Sequence, residues 1–350
     1  MRERGRRGLL VLALALVTAT AACSGSGGTS AGQGRPATGS PLTPLTPAAL
    51  PAPRVTLAEA DKELAGLLSA QEVLSRATPR QDADDRNLLE QTDDGQEALA
   101  QVALNGPAGA SPPHYTWGRP QLLVPRVQRT PFWFAAVVNR TDSAGEVRPA
   151  VLTLIKYGGE RWTLSSASLL EPGARIPEIA KDAEGYATAL DYEDTSVEIS
   201  PRLMAPLHAT SAEEGTEGFT AGLIEAGPHT TGYADEIAAN RLDYKKEDCL
   251  GYDSIFAASN YPVYALRTAG GGALVTYSLV RTTTVTSKVE PCAEIVVPPD
   301  AKHLVKERRA SKELRTVELQ QYVSTVPAKN SRRPAKIIGY LGGITKVFVS

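Results

Sequence analysis

Few side chains in this 350-residue sequence have the type and spacing that chemistry needs. Four histidines occur, His114, His208, His229 and His303, and none has a partner at nucleophile or metal-ligand spacing. His229 lies in Gly227-Pro228-His229-Thr230-Thr231, just ahead of a helical pattern. Imidazole titrates near neutrality, so His229 could serve as a pocket acid or base; the bland reading is a loop residue leading into a Thr N-cap. His208, two residues after Pro206 in a short helix, reads the same way. Asp182 and Glu184 beside Tyr186 could form an acid pair, but their Pro/Gly-rich setting suits a solvated joint. Asp84-Asp85 and Asp93-Asp94 are charges at helix starts. Gly270-Gly271-Gly272 lacks the Lys-Ser/Thr of a phosphate loop, and no Gly-x-Ser-x-Gly elbow occurs. Asn139-Arg140-Thr141 is a glycosylation sequon, of little weight by itself. Trp117, Trp133, Trp162 and Tyr157 could line a pocket for a hydrophobic or sugar ligand, or fill a core. The possible pocket is therefore Trp133, Tyr157, Trp162 and His229, with no catalytic residue, metal site or cofactor assigned.

The three cysteines say more. Arg2, Arg4, Arg6 and Arg7 precede an apolar run, Leu9 to Val17, that ends in Ala21-Ala22-Cys23. A basic start, a short apolar core and small residues before a cut site make an export signal over residues 1–22. The run falls short of the roughly 20 residues that span a bilayer. Cys23 after two alanines resembles a bacterial lipobox, although Thr20 stands where most have Leu or Val. In a lipobox the thiol receives diacylglycerol and the cut leaves the cysteine as a lipidated N-terminus. Residues 23–54 are then a disordered Ser/Gly/Pro-rich tether. The expected location is the outer face of the cell membrane, with the membrane reached through the N-terminal lipid. Setting Cys23 aside leaves an even pair in an oxidising compartment, so a Cys249–Cys292 disulfide is expected.

Composition bounds the rest. The sequence holds 37 basic and 39 acidic residues. Removing the signal's four Arg and one Glu leaves 33 and 38. A mildly acidic chain with both signs interspersed is a poor nucleic-acid binder. An apolar content of 42% suffices for real cores.

Helical periodicity begins at Thr56, whose spacing to Glu59 is that of a capping box, and runs to about residue 76. A second helical stretch, residues 82–104, shows Leu88, Leu89, Leu99 and Val102 as its apolar side and a break at Gly95. Strands are expected at 121–126, 132–139, 150–157 and 162–169. Residues 171–200, with Pro172, Gly173, Pro177 and Gly185, read as a joint with short helical pieces near 177–182. The order then repeats: helices at 201–211 and 231–249, and strands at 252–257, 263–268, 273–286, 314–326 and 337–349. Helices segregated against sheets mean α+β. Two similar lobes result, residues 55–170 and 201–350, each with helices packed on a curved antiparallel sheet.

Val55-Thr56-Leu57-Ala58-Glu59-Ala60, Pro131-Phe132-Trp133-Phe134-Ala135 and Asp182-Ala183-Glu184-Gly185-Tyr186-Ala187, together with the lipobox and tether, carry a family resemblance. The chain resembles the uncharacterised secreted lipoproteins of streptomycetes and related actinobacteria, which hold a large domain of unknown function. The resemblance implies an envelope lipoprotein and supplies no active site. The helix-then-sheet order also resembles the cystatin-like or nuclear-transport-factor-like cone fold, which hosts enzymes and binding modules alike. The reading favours a non-catalytic envelope module that binds a partner protein or a small hydrophobic or sugar ligand. The alternative is a hydrolase or isomerase using a cone-shaped pocket.

Overall fold

The computed structural model describes residues 51–76, 81–106, 114–246, 249–289 and 292–350. The signal, Cys23 and the tether up to residue 50 lie outside the described residues. Helix α1 (Leu57–Ser75) starts where Thr56 Oγ1 accepts the Glu59 N–H at 3.0 Å. The reciprocal half of the capping box is not made, because the Glu59 carboxylate turns to Lys156 and Trp162 instead. Order begins ahead of Thr56: Val55 is buried, and Arg126 and Gln128 donate to the carbonyls of Pro51 and Ala52. The second helical stretch divides into α2 (Asp82–Leu89) and α3 (Asp94–Leu104). The break falls before Gly95, at residues captured by a strand: the Asp93 N–H donates to the Leu164 carbonyl and Leu164 N–H to Gln91. Gly95 serves close approach rather than breakage, since a Cβ there would lie 3.1 Å from the Leu319 side chain.

The strands are β1 (Thr116–Trp117), β2 (Gln121–Leu123), β3 (Phe132–Thr141), β4 (Val147–Lys156), β5 (Thr163–Leu170), β6 (Leu250–Ala258), β7 (Tyr264–Arg267), β8 (Ala273–Ser287), β9 (Ile295–Val296), β10 (Arg309–Ala310), β11 (Glu313–Val326) and β12 (Lys336–Val349). Helices α4 (Pro201–Glu214) and α5 (Thr231–Lys246) precede β6. Ten strands form one antiparallel sheet in the order β1-β3-β4-β5-β12-β11-β8-β6, with β2 on β3 and β7 on β8. The fold is α+β.

Alternation along each strand sorts the cores. Phe134, Ala136 and Val138 of β3 meet Ala60, Leu64 and Leu68 of α1. Tyr277 and Leu279 of β8 and Tyr322 of β11 meet Met204 and Ala205 of α4 and Ile237 of α5. The helices cover opposite faces of β11: Gly95 of α3 packs on Leu319 and Gln321, and α4 and α5 cover Tyr322.

Residues 50–350 form one compact unit, so the expected pair of lobes with an open joint gives way to one body with two wings. The physical reason lies in residues 171–200, which form a strap bridged to both wings. Ala187 pairs with Pro125, Ile179 with Thr268, Ala189 with Leu266 and Val197 with Ala328. Ile179, Ala187, Leu190, Val197 and Ile199 are buried, and no helix forms near 177–182. A third core joins Trp133 of β3 to Tyr264, Leu274 and Val323 of the other wing. The two wings meet in the sheet at a short seam, where β5 and β12 share the pairs Leu170↔Gly339 and Leu169↔Tyr340. Beyond it the buried Gln321 side chain takes over, accepting from Ala167 N–H at 2.9 Å and donating to the Ser165 carbonyl.

The Cys249–Cys292 disulfide is formed, with Cα atoms 5.7 Å apart. It closes a small core of Leu250, Val285, Ile295, Val297 and Leu314 at the far end of the second wing. Among the described residues no helix is long and apolar enough to cross a membrane.

Candidate functional site

The four pocket residues read from the sequence do not converge. Trp133 and Trp162 lie on opposite faces of the first wing. Trp133 packs on Tyr264, ring centroids 4.7 Å apart, in the shared core. Trp162 packs edge-on to Phe134 and donates its indole N–H to Glu59. Tyr157 is exposed at the β4–β5 turn. The Asp182–Glu184 pair is structural: both carboxylates hold Arg126, at 2.6 and 3.0 Å, and the guanidinium stacks on Tyr186.

His229 alone belongs to a polar constellation. The loop before α5 places it at the seam, stacked on Tyr340 with ring centroids 4.2 Å apart. Its Nε2 lies 3.1 Å from Glu171 Oε1 and its Nδ1 3.3 Å from the Tyr233 hydroxyl. Thr230 does not cap α5; its hydroxyl donates to the carbonyls of Glu225 and Gly227. Behind His229 sits His208, fully buried in α4. The His229 carbonyl can only accept, so His208 carries its proton on Nε2, 2.5 Å away, and Nδ1 accepts from Tyr277 at 2.9 Å. Burial pushes the His208 imidazole down to about 4, so it stays neutral at physiological pH. Ser324 satisfies Tyr277, and Gln320 links Tyr322 to Tyr233. Arg281 closes the row against Glu236 at 2.7 Å. A cleft of about 400 Å³ opens beside this cluster, between Glu171, His229 and Lys336. The cluster is thus a set of donors and acceptors that complete one another.

A different arrangement lies on the first wing. Between α1–α3 and the sheet runs a groove of about 320 Å³. Leu99, Val102 and Leu104 of α3 form one wall, with Leu88 of α2. Trp117, Leu164, Ala167 and Leu341 form the floor, where Gly342 and Gly343 leave β12 without side chains. Leu88, Leu99 and Val102 of the apolar side read in the second helical stretch therefore face this groove: α2 buries none of its residues and α3 only Gly95. Arg140 stands in the groove lining, its guanidinium 4.0 Å above the Tyr115 ring. Burial disfavours its charge; Tyr115 offsets this in part, while the neighbouring Arg148 adds to it. Of the aromatics read from the sequence as possible pocket liners, Trp117 alone lies in this groove; the apolar positions of α2 and α3 are the other signal that points to it. Among the described residues, no group of three or more His, Cys, Asp or Glu could hold a metal ion.

Comparison with known proteins places these features in a family. The chain is 26% identical over 163 residues to an uncharacterized lipoprotein of Streptomyces coelicolor, a match covering 45% of this chain and 46% of the relative. The chain thus spans about half the length of the curated relative it matches. No solved structure matches. Residues 51–347, nearly the whole described body, match the family described as domain of unknown function (DUF8094), and the chain belongs to that family.

Proposed function

We propose that the protein is a non-catalytic, extracytoplasmic binding module held at the membrane by lipid on Cys23, and that it takes a small apolar ligand in the α1–α3 groove. The observation that carries the binding role is the groove itself. Leu88, Leu99, Val102 and Leu104 line an open channel where a helix–sheet interface would otherwise be filled. Interiors pack to crystal-like density, so an apolar wall left unpacked favours a ligand that completes it. The name of the Streptomyces relative supports the anchor, as do the basic, apolar and Ala-Ala-Cys23 sequence and the tether.

The hydrolase or isomerase reading has one observation in its favour, the His229–Glu171 pair beside a cleft. Both ring nitrogens of His229 are engaged and its face is covered by Tyr340, which suits a strut across the seam better than a proton shuttle.

The test is binding of the apolar fluorophore 1-N-phenylnaphthylamine. Saturable binding is expected, lost in Ala100→Phe, which fills the groove from α3, and kept in His229→Ala. Binding that is unsaturable, or unchanged in a folded Ala100→Phe protein, overturns the groove. For the anchor, Cys23→Ser is expected to release the protein to the medium or leave it unprocessed; a variant that stays membrane-bound at wild-type mass overturns it.

A further inference from the structure

We infer that the groove's ligand is a long-chain fatty acid, its carboxylate held by Arg140 and its chain laid along Leu99, Val102 and Leu341. This rests on the binding role proposed for the groove and adds the chemical class of the ligand. The argument starts from register. In the β3–β4 ladder Arg140 stands directly opposite Arg148, and on its other side Trp117 of β1 is its partner. Like charges directly opposite each other on one face destabilise a sheet. Elsewhere in the chain this cost is avoided. Arg126 has Asp182 and Glu184, Arg267 has Asp194, and Arg281 has Glu236. Among the described residues neither Arg140 nor Arg148 has a carboxylate within ion-pair distance.

The acids of the hairpin, Asp142 and Glu146, favour the Arg140 charge without pairing with it, and Asp142 Oδ1 accepts the N–H groups of Ala144 and Glu146 and holds the turn. Arg148 donates from one terminal nitrogen to the Leu170 carbonyl at 2.8 Å, and its buried Nε finds no acceptor among the described residues. Arg140 gives its face to Tyr115, which leaves the edge of the guanidinium, with its N–H groups, for a ligand. That edge matches a carboxylate in two parallel hydrogen bonds. The rest of the lining is mostly hydrocarbon, Leu, Val and Ala along α3 with Leu164 and Leu341 on the floor, and its other polar side chains, Gln71, Ser75, Thr92 and Gln96, are uncharged. A site that is cationic at one point and mainly apolar along its length selects an amphiphile with an anionic head. A carboxylate suits Arg140, the one guanidinium lining the groove among the described residues, and a groove of about 320 Å³ lies at the small end of ligand sites, which favours one chain over several.

The experiment uses the full chain carrying Cys23→Ser, so that no attached lipid competes. Displacement of 1-N-phenylnaphthylamine is followed with sodium dodecanoate, dodecanol, dodecyltrimethylammonium and dodecyl phosphate, all below their micellar concentrations. Dodecanoate is expected to displace the probe at about tenfold lower concentration than dodecanol, the worth of one charge-assisted contact, with the ammonium weakest. Arg140→Gln is expected to erase the gap between dodecanoate and dodecanol while leaving probe binding in place. Equal displacement by dodecanoate and dodecanol in the wild-type chain overturns the anionic head and leaves the groove standing. A preference for dodecyl phosphate over dodecanoate overturns the carboxylate assignment. A preference for dodecanoate that survives Arg140→Gln overturns the role of Arg140. Failure of the probe to bind at all removes the groove itself, and this inference with it.

Discussion

The two wings handle buried polarity in opposite ways. In the second wing, beneath α4 and α5, hydrogen bonds join His208, Tyr277 and Ser324 in one group and Tyr322, Gln320 and Tyr233 in another. In the first wing, Arg140 and Arg148 face each other beside an open groove with no carboxylate within ion-pair distance among the described residues. Side chains that complete one another fix a structure, because breaking any link strands a buried donor or acceptor. Charges that repel and stay unmatched cost stability, and they are tolerated where something from outside answers them. Polarity by itself therefore says little about function; what counts is whether the chain satisfies it.

Stability measurements can break that contrast. The largest effect is expected for Tyr322→Ala, which empties a fully buried site and strands Gln320: a loss of about 3–5 kcal/mol in urea denaturation. A loss under about 1 kcal/mol would mean the row is not a tightly coupled core. The double change Cys249→Ser with Cys292→Ser opens a loop closed over a separation of 43 residues, and is expected to cost about 4 kcal/mol in the same assay. Fluorophore binding on the other wing should survive it; joint loss of both would tie the wings together energetically.

Acid comes next. Unfolded His208 takes a proton near its ordinary value of 6.5, whereas the folded side chain resists until about 4. Between those values the unfolded state binds more protons. Stability is therefore undiminished by this group above pH 6.5 and falls by about 3 kcal/mol as pH drops towards 4. Melting curves of the wild type against His208→Gln isolate the contribution, since Gln can still donate to the His229 carbonyl but does not titrate. Parallel pH profiles would show that His208 is not the group responsible. The smallest effect is expected for Arg140→Gln, which removes the repulsion with Arg148: stability unchanged or raised by up to about 0.5 kcal/mol. A loss above about 1 kcal/mol would place Arg140 among the satisfied structural residues and erase the difference between the wings.

Much of the backbone plan was legible because it is local. The capping Thr56, the period of α1, the apolar run of β3, the Thr- and Val-rich run of β8 and the Gly270-Gly271-Gly272 turn each declare themselves within a dozen residues. The cysteine pair followed from parity. The seam, the strap and the site did not follow, because each depends on partners far apart in the chain. The arginine pair shows the reason most closely. Apolar periodicity in the two strands stops at Asn139 and resumes at Ala150, but the ladder runs on to Thr141 and Val147. Arg140 and Arg148 lie in those extra rungs, where charge reads as turn. Extending the hairpin to its Asp142–Glu146 turn would have set them face to face. His229 and Glu171 are likewise brought together only when β5 docks on β12, and no local pattern announces that pairing.

That docking has a consequence for how the protein would fail. The ladder that joins the wings is short: β5 and β12 share two residue pairs, and Gln321 of β11 adds two side-chain hydrogen bonds to β5. The ladders on either side are much longer, β12 with β11 and β5 with β4. Parting at the seam would leave each wing's own ladders intact and bare two strand edges at once, each a template for pairing with another copy. Gln321, with its side-chain N–H and carbonyl turned to the backbone of β5, helps hold those edges together, so one buried amide of β11 bears on whether neighbouring copies could ever join edge to edge.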